Sequence, residues 1–141
     1  MGRPSDYTLE MAAVICEHIA DGKSLKSICL AEEMPSKSSV YLWLTAHPEF
    51  SDMYARARED QADTLADEIV DIADDGKRDY ITADGVKILD HDHISRARLR
   101  VDARKWIAAK LKPKKYGDKV ETTHRGDAAA PIMISSTDGK L

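Results

Sequence analysis

Apolar residues recur along residues 8–75 at steps of three and four, the spacing of one face of an α-helix. Leu9, Ala12, Ala13, Cys16, Ile19 and Ala20 predict a helix over 8–21, opposite Glu10, Glu17 and Asp21. Thr8 is a suitable N-cap and Gly22 a suitable stop. Ser24 then caps a short second helix with Leu25, Ile28 and Cys29 inward. Met34-Pro35-Ser36 breaks the pattern, because proline fits a helix start but not its interior. Ser36 or Ser38 caps a third helix that buries Val40, Trp43 and Leu44 and ends before Pro48. Over 48–75 a long helix places Phe50, Met53, Tyr54, Ala57, Gln61, Leu65, Ile69 and Ile72 on one face, with Gln61 its single polar member.

The period changes at 79–89, where β-formers flank Asp84-Gly85, a dipeptide that suits the type I′ turn of a hairpin. A lone hairpin is marginal in water, so this one should rest on something at the tip of a helical hairpin. Helical spacing returns over 93–112 in two stripes: Ile94, Ala97, Val101, Ala108 and Leu111, and beside it Leu99, Ala103, Trp106 and Ile107. One stripe suits the preceding long helix and the other suits a second subunit, which makes Leu99, Trp106 and Ile107 candidate oligomerisation residues. Trp43 and Trp106 read as core anchors. Pro113 ends the helix and 114–119 is a basic turn. In the tail, Pro131–Thr137 is an isolated β-like segment around Ile132, Met133 and Ile134. One strand cannot satisfy its own backbone, so it is either disordered or pairs with copies of itself. The expected fold is mainly α: a helix-turn-helix bundle (1–50), an antiparallel helical hairpin (51–119) with a β-hairpin (79–89) at its tip, and a tail (120–141) with a strand at 131–137.

Among 141 residues, 43% are hydrophobic and 33% charged. No apolar run approaches the ~18 residues of a membrane span, and no signal-peptide core is visible at the N-terminus. Two cysteines make no disulfide framework and fit a reducing cytoplasm. The net charge of -4 argues against coating nucleic acid by bulk charge. That average hides segregation: residues 61–95 carry 3 Lys/Arg and 10 Asp/Glu, whereas 96–119 carry 10 and 2. Two readings fit, helices paired charge against charge or a basic strip for nucleic acid.

Three short helices with a tight turn before the third fit a helix-turn-helix, whose last helix enters the major groove. The candidate DNA-binding residues are Lys37, Ser38, Ser39, Tyr41 and Thr45, with Lys23 and Lys26 for phosphates. Residues 1–50 hold 4 Lys/Arg against 7 Asp/Glu, so one copy should bind weakly. Asp21-Gly22-Lys23-Ser24 imitates the end of a phosphate-binding loop, but Glu17 stands where that loop needs its first glycine. His91 and His93, with His124 or Glu68, could hold a metal, although Asp90 or Asp92 also explains this stretch as a helix cap. No catalytic motif, cofactor or metal site is expected.

Three stretches carry a family resemblance: Gly2-Arg3-Pro4-Ser5-Asp6-Tyr7; Met34 to Leu44 with His47-Pro48-Glu49-Phe50; and Arg98 to Trp106 with Lys112 to Lys119. Over about residues 2–120 the chain resembles the small terminase subunits of tailed bacteriophages. The resemblance implies a non-catalytic adaptor, active in the cytoplasm of the infected bacterium and not a stable virion component. Such a protein binds double-stranded viral DNA at the packaging initiation site. It forms a ring, commonly of eight or nine subunits, and delivers DNA to a large subunit that carries the ATPase and nuclease and that it regulates. The resemblance also implies that the tail strand (Ile132, Met133, Ile134) joins an intersubunit β-barrel. Leu42 departs from the family, which is often basic there, and the 79–89 hairpin looks like an insertion. A dimeric helix-turn-helix regulator and a small metal-dependent enzyme are the alternatives.

Overall fold

The computed structural model describes residues 3–118; the tail segment 131–137, with Ile132, Met133 and Ile134, lies outside the described residues. The elements are α1 (Leu9–Ala20), α2 (Leu25–Ile28), α3 (Lys37–Ala46), α4 (Pro48–Asp74), β1 (Tyr80–Ala83), β2 (Val86–Leu89), α5 (His91–Leu111) and α6 (Pro113–Tyr116). The fold is mainly helical with one small antiparallel sheet, as the periodicity predicts.

Short-range chemistry sets the helix ends. Thr8, Ser24, Ser36 and Asp90 each accept a backbone N–H of the first turn. Gly22 ends α1 at φ +99, and the Lys23 N–H reaches back to the His18 carbonyl at 3.2 Å. The apparent end of a phosphate loop is thus a helix stop. A Cβ at Gly22 would sit 3.3 Å from Glu68 Oε1 and 3.5 Å from the Thr64 methyl, so glycine also admits α4.

The first core gathers Ala12, Ile15, Cys16 and Ile19 from α1, Leu25, Ile28 and Cys29 around α2, Val40 and Trp43 from α3, and Phe50 and Ala57 from α4. The inward face of α1 is turned from the expected one: Leu9 and Ala13 are exposed and Ile15 is buried. The sequence 12, 15, 16, 19 centres the stripe, which leaves 9 and 13 on its margin. Burial pushes the Cys16 and Cys29 thiols up, so both stay protonated and inert. The connection between α2 and α3 runs from Cys29 to Ser36 and is longer than the tight turn expected.

α4 runs without interruption past residue 50. Its first half closes the α1–α3 core, and its second half packs antiparallel on α5. Two side chains fix the junction. Buried Gln61 donates Nε2–H to the Lys23 carbonyl (3.1 Å) and accepts from Arg58 (2.9 Å), and the Thr64 hydroxyl donates to the Ala20 carbonyl at 2.6 Å. Ala20 is the last residue of α1 and Lys23 follows its glycine stop, so neither carbonyl has an intrahelical donor.

On α5, Ala108 is buried and Ala97, Val101 and Leu111 are half-buried towards α4. Leu99 and Trp106 are 56% and 64% exposed. Trp106 is therefore no core anchor within the chain. The Lys110 ammonium lies 5.6 Å from its ring centre. In the β-hairpin, Asp84 and Gly85 take φ 51 and 75, the type I′ pattern expected. The hairpin does not rest on the helices: all its strand residues are exposed. It is held at its base, where the Asp90 N–H donates to the Asp79 carbonyl at 2.7 Å. Residues 113–116 form one helical turn, α6, at the start of the basic turn expected over 114–119.

Replacing Gln61 by Ala removes both of its bonds and leaves the Lys23 carbonyl unpaired. The expected loss is about 1–3 kcal/mol, read as a lower urea midpoint at unchanged slope.

Candidate nucleic-acid interface

α3 buries the side that carries Val40 and Trp43, with Leu44 half-buried beside them, and exposes the other. Lys37, Ser38, Tyr41, Leu42 and Thr45 are exposed, and Ser39 is half-buried. Ser36, not Ser38, is the cap: its Oγ accepts the Ser39 N–H at 3.2 Å and shares a hydroxyl contact with Ser39 Oγ at 3.1 Å. Ser39, expected to face DNA, is thus partly spent on starting the helix. The Thr45 hydroxyl donates to the Tyr41 carbonyl at 3.2 Å. Lys23 and Lys26 are exposed, and Lys23 Nζ lies 3.0 Å from His18 Nδ1. Glu32 and Glu33 are exposed in the turn before α3.

Two residues outside the helices hold α3 in place, and neither was assigned a role from periodicity. Arg3 donates from Nη1 to the Cys29 carbonyl at 2.6 Å and to the Met34 carbonyl at 3.4 Å, clamping both ends of the α2–α3 connection. Tyr7 stacks on His47 at 3.7 Å between ring centres and meets Trp43 edge-on at 5.8 Å. His47 is at once the C-cap of α3 and the N-cap residue of α4. The Tyr7 stack therefore pins the corner between the exposed helix and the long one. The only sequence signal for these residues is their presence in the Gly2 to Tyr7 motif.

Among the described residues, no group of three His, Cys, Asp or Glu side chains could hold a metal ion. His91 and His93 lie in the first turn of α5, where Asp90 accepts the His93 N–H at 3.1 Å, and His124 lies outside the described residues. No described helix is long and apolar enough to cross a membrane.

The family model described as bacteriophage Sf6, terminase small subunit-like, matches residues 7–123. The chain belongs to the Sf6 terminase small subunit-like family. Crystal structures of three single-residue variants of terminase small subunit gp1 of the bacterial virus Sf6 are similar to this terminase small subunit-like chain. In each case the identity is 41%, the TM-score is 0.69, and 94% of either chain is covered. No curated protein sequence matches.

The basic block of this terminase small subunit-like chain is partly neutralised from within. Arg104 Nε donates to Glu68 at 2.7 Å, and Asp63 collects Lys112 (3.1 Å), Lys115 (3.0 Å) and the Tyr116 hydroxyl (2.6 Å). The pairing reading of the two charge blocks holds for these residues. Among the described residues, Arg96, Arg98, Arg100 and Lys105 make no ion pair. The Tyr116, Lys115 and Lys112 donors hold the Asp63 carboxyl well below the usual carboxylate range, and Asp63 raises Lys115 and Tyr116 in return.

The sign of the pH dependence follows. A depressed carboxyl stabilises above its unfolded pKa of about 4 and loses that contribution as pH falls further. The raised Lys115 and Tyr116 groups keep theirs until pH rises through their folded values. Docking of α6 on α4 should therefore be constant between about pH 5 and 9 and loosen in acid. In Asp63→Asn, hydrogen exchange at the Tyr116 and Gly117 amides should quicken at neutral pH, while amides in the middle of α5 keep their rates.

Proposed function

We propose that this chain is the non-catalytic, DNA-recognising subunit of a genome-packaging machine, acting as a ring of about eight or nine copies in the host cytoplasm. The α2–α3 unit serves as a helix-turn-helix, with Lys23, Lys26, Lys37, Ser38, Ser39, Tyr41 and Thr45 at double-stranded viral DNA. The assembly delivers that DNA to the large terminase subunit and tunes its ATPase and nuclease. The family membership supports this reading. The observation that carries it is the second stripe of α5, where Leu99 and Trp106 stand open to solvent on a helix whose other stripe packs on α4 from Ala97 to Leu111.

An exposed tryptophan and leucine on a rigid helical hairpin form an apolar surface suited to a neighbouring subunit. Trp106 borders a groove of about 350 Å³ with Ala66, Ile69 and Ala109, so knob and groove lie on the same hairpin. Contact of this face with a different face of the neighbouring hairpin is head-to-tail and closes into a ring when the rotation fits. Ile107 lies on the margin of that stripe and is half-buried.

Assembly also resolves the charge problem. Repeating weak modules on one scaffold raises avidity by about 10²–10⁴ over a single site. Native mass spectrometry of the full chain should show eight or nine copies; monomer alone at micromolar concentration would overturn the ring. Trp106→Glu should dissociate the assembly and weaken DNA binding by about 10²-fold or more at fixed salt. Lys37→Ala should weaken binding several-fold and leave the assembly mass unchanged.

A further inference from the structure

Ser38, Tyr41, Leu42 and Thr45 stand at i, i+3, i+4 and i+7 and form one exposed stripe along α3. Its centre is apolar: Leu42 is 67% exposed and Tyr41 54%. Thr45 turns its hydroxyl back to the Tyr41 carbonyl, so the hydroxyl is engaged within the helix and the methyl is its remaining contact group. α3 contains no Arg, Asn, Gln, Asp or Glu. Of the side chains that make bidentate contacts to guanine or adenine in the major groove, α3 carries one lysine, and it carries none of the carboxylates that accept from cytosine. Lys37 is the only charged residue of α3, on its first turn.

The major groove offers one apolar feature on its floor, the C5-methyl group of thymine. We infer that Leu42, flanked by Tyr41 and Thr45, is a specificity-determining residue that reads thymine methyl groups in duplex DNA. The inference rests on the DNA-binding reading of α3 above. Charge favours DNA as the occupant of this stripe. α3 has no carboxylate to repel phosphates, and Lys37, Lys26 and Lys23 are exposed in the same module to receive them.

The test uses the full-length assembly and two A·T-rich duplexes of identical sequence, one with thymidine and one with deoxyuridine throughout. The two carry the same phosphates and Watson–Crick pairing and differ only in the methyl groups. The wild-type chain should bind the thymidine duplex more tightly by about fourfold per methyl covered. Leu42→Ala should bring the two affinities together. Leu42→Lys should strengthen binding to both, steepen the salt dependence and likewise erase the difference. Because Leu42 is exposed, circular dichroism and assembly mass should be unchanged in both variants.

Equal affinity of the wild-type assembly for the two duplexes overturns the inference and leaves the DNA-binding reading standing. Binding to neither duplex overturns both, and would fit an apolar protein partner for the stripe. A thymidine preference that survives intact in Leu42→Ala overturns the assignment to Leu42.

Discussion

One helix belongs to two packing units, and the rest of the molecule is arranged around that constraint. Phe50 and Ala57 of α4 close the core of α1–α3, whereas its later turns pack on α5. Gln61 stands at the changeover, buried and bonded to the carbonyl of Lys23. No linker intervenes, so the exposed face of α3 and the exposed stripe of α5 are parts of one rigid frame. Tyr7 and His47 fix the corner and Arg3 fixes the preceding turn. In a ring built through α5, this rigidity would give each α3 a set orientation relative to its neighbours, without which avidity falls away.

Features that depend on a few neighbouring residues were legible in the sequence. The caps at Thr8, Ser24 and Asp90 and the Asp84-Gly85 turn are decided within four residues, where side-chain chemistry and φ preference suffice. The two stripes of α5 were legible as well, because periodicity needs only the helix itself. What covers a stripe was not. Trp106 reads as a core residue by type and spacing, yet α4 takes the adjacent stripe and leaves this one open. The same limit applies to Leu9 and Ala13, which lie on the margin of a helical face that Ile15 centres.

The contacts that fix the candidate site are long-range. Arg3 reaches Cys29, Gln61 reaches Lys23, and Asp63 gathers Lys112, Lys115 and Tyr116. Each joins residues that are adjacent only after folding, so no local pattern marks them. The lysines facing solvent were readable from polarity alone. The division of labour between Ser38 and Ser39 was not, since either offers a hydroxyl and only the position of the Ser36 cap decides which is spent.

Charge gains meaning once these long-range contacts are known. The largest positive block in the chain, 96–119, fits either a basic strip for nucleic acid or pairing with the acidic block before it. Arg104, Lys112 and Lys115 are tied to carboxylates of α4. What the α3 module offers phosphates is Lys23, Lys26 and Lys37, beside the acidic pair Glu32 and Glu33. Three contacts would give a salt slope of only about -3 per module, since each neutralised phosphate contributes about -0.9. A slope that small means weak binding at physiological salt from one copy. Any steeper dependence in the assembled protein would then count the modules engaged at once rather than the charge of any one of them. A chain with a net charge of -4 can serve DNA in this way because repetition multiplies a few placed cations, while Asp63 and Glu68 are occupied in holding α5 and α6 on α4.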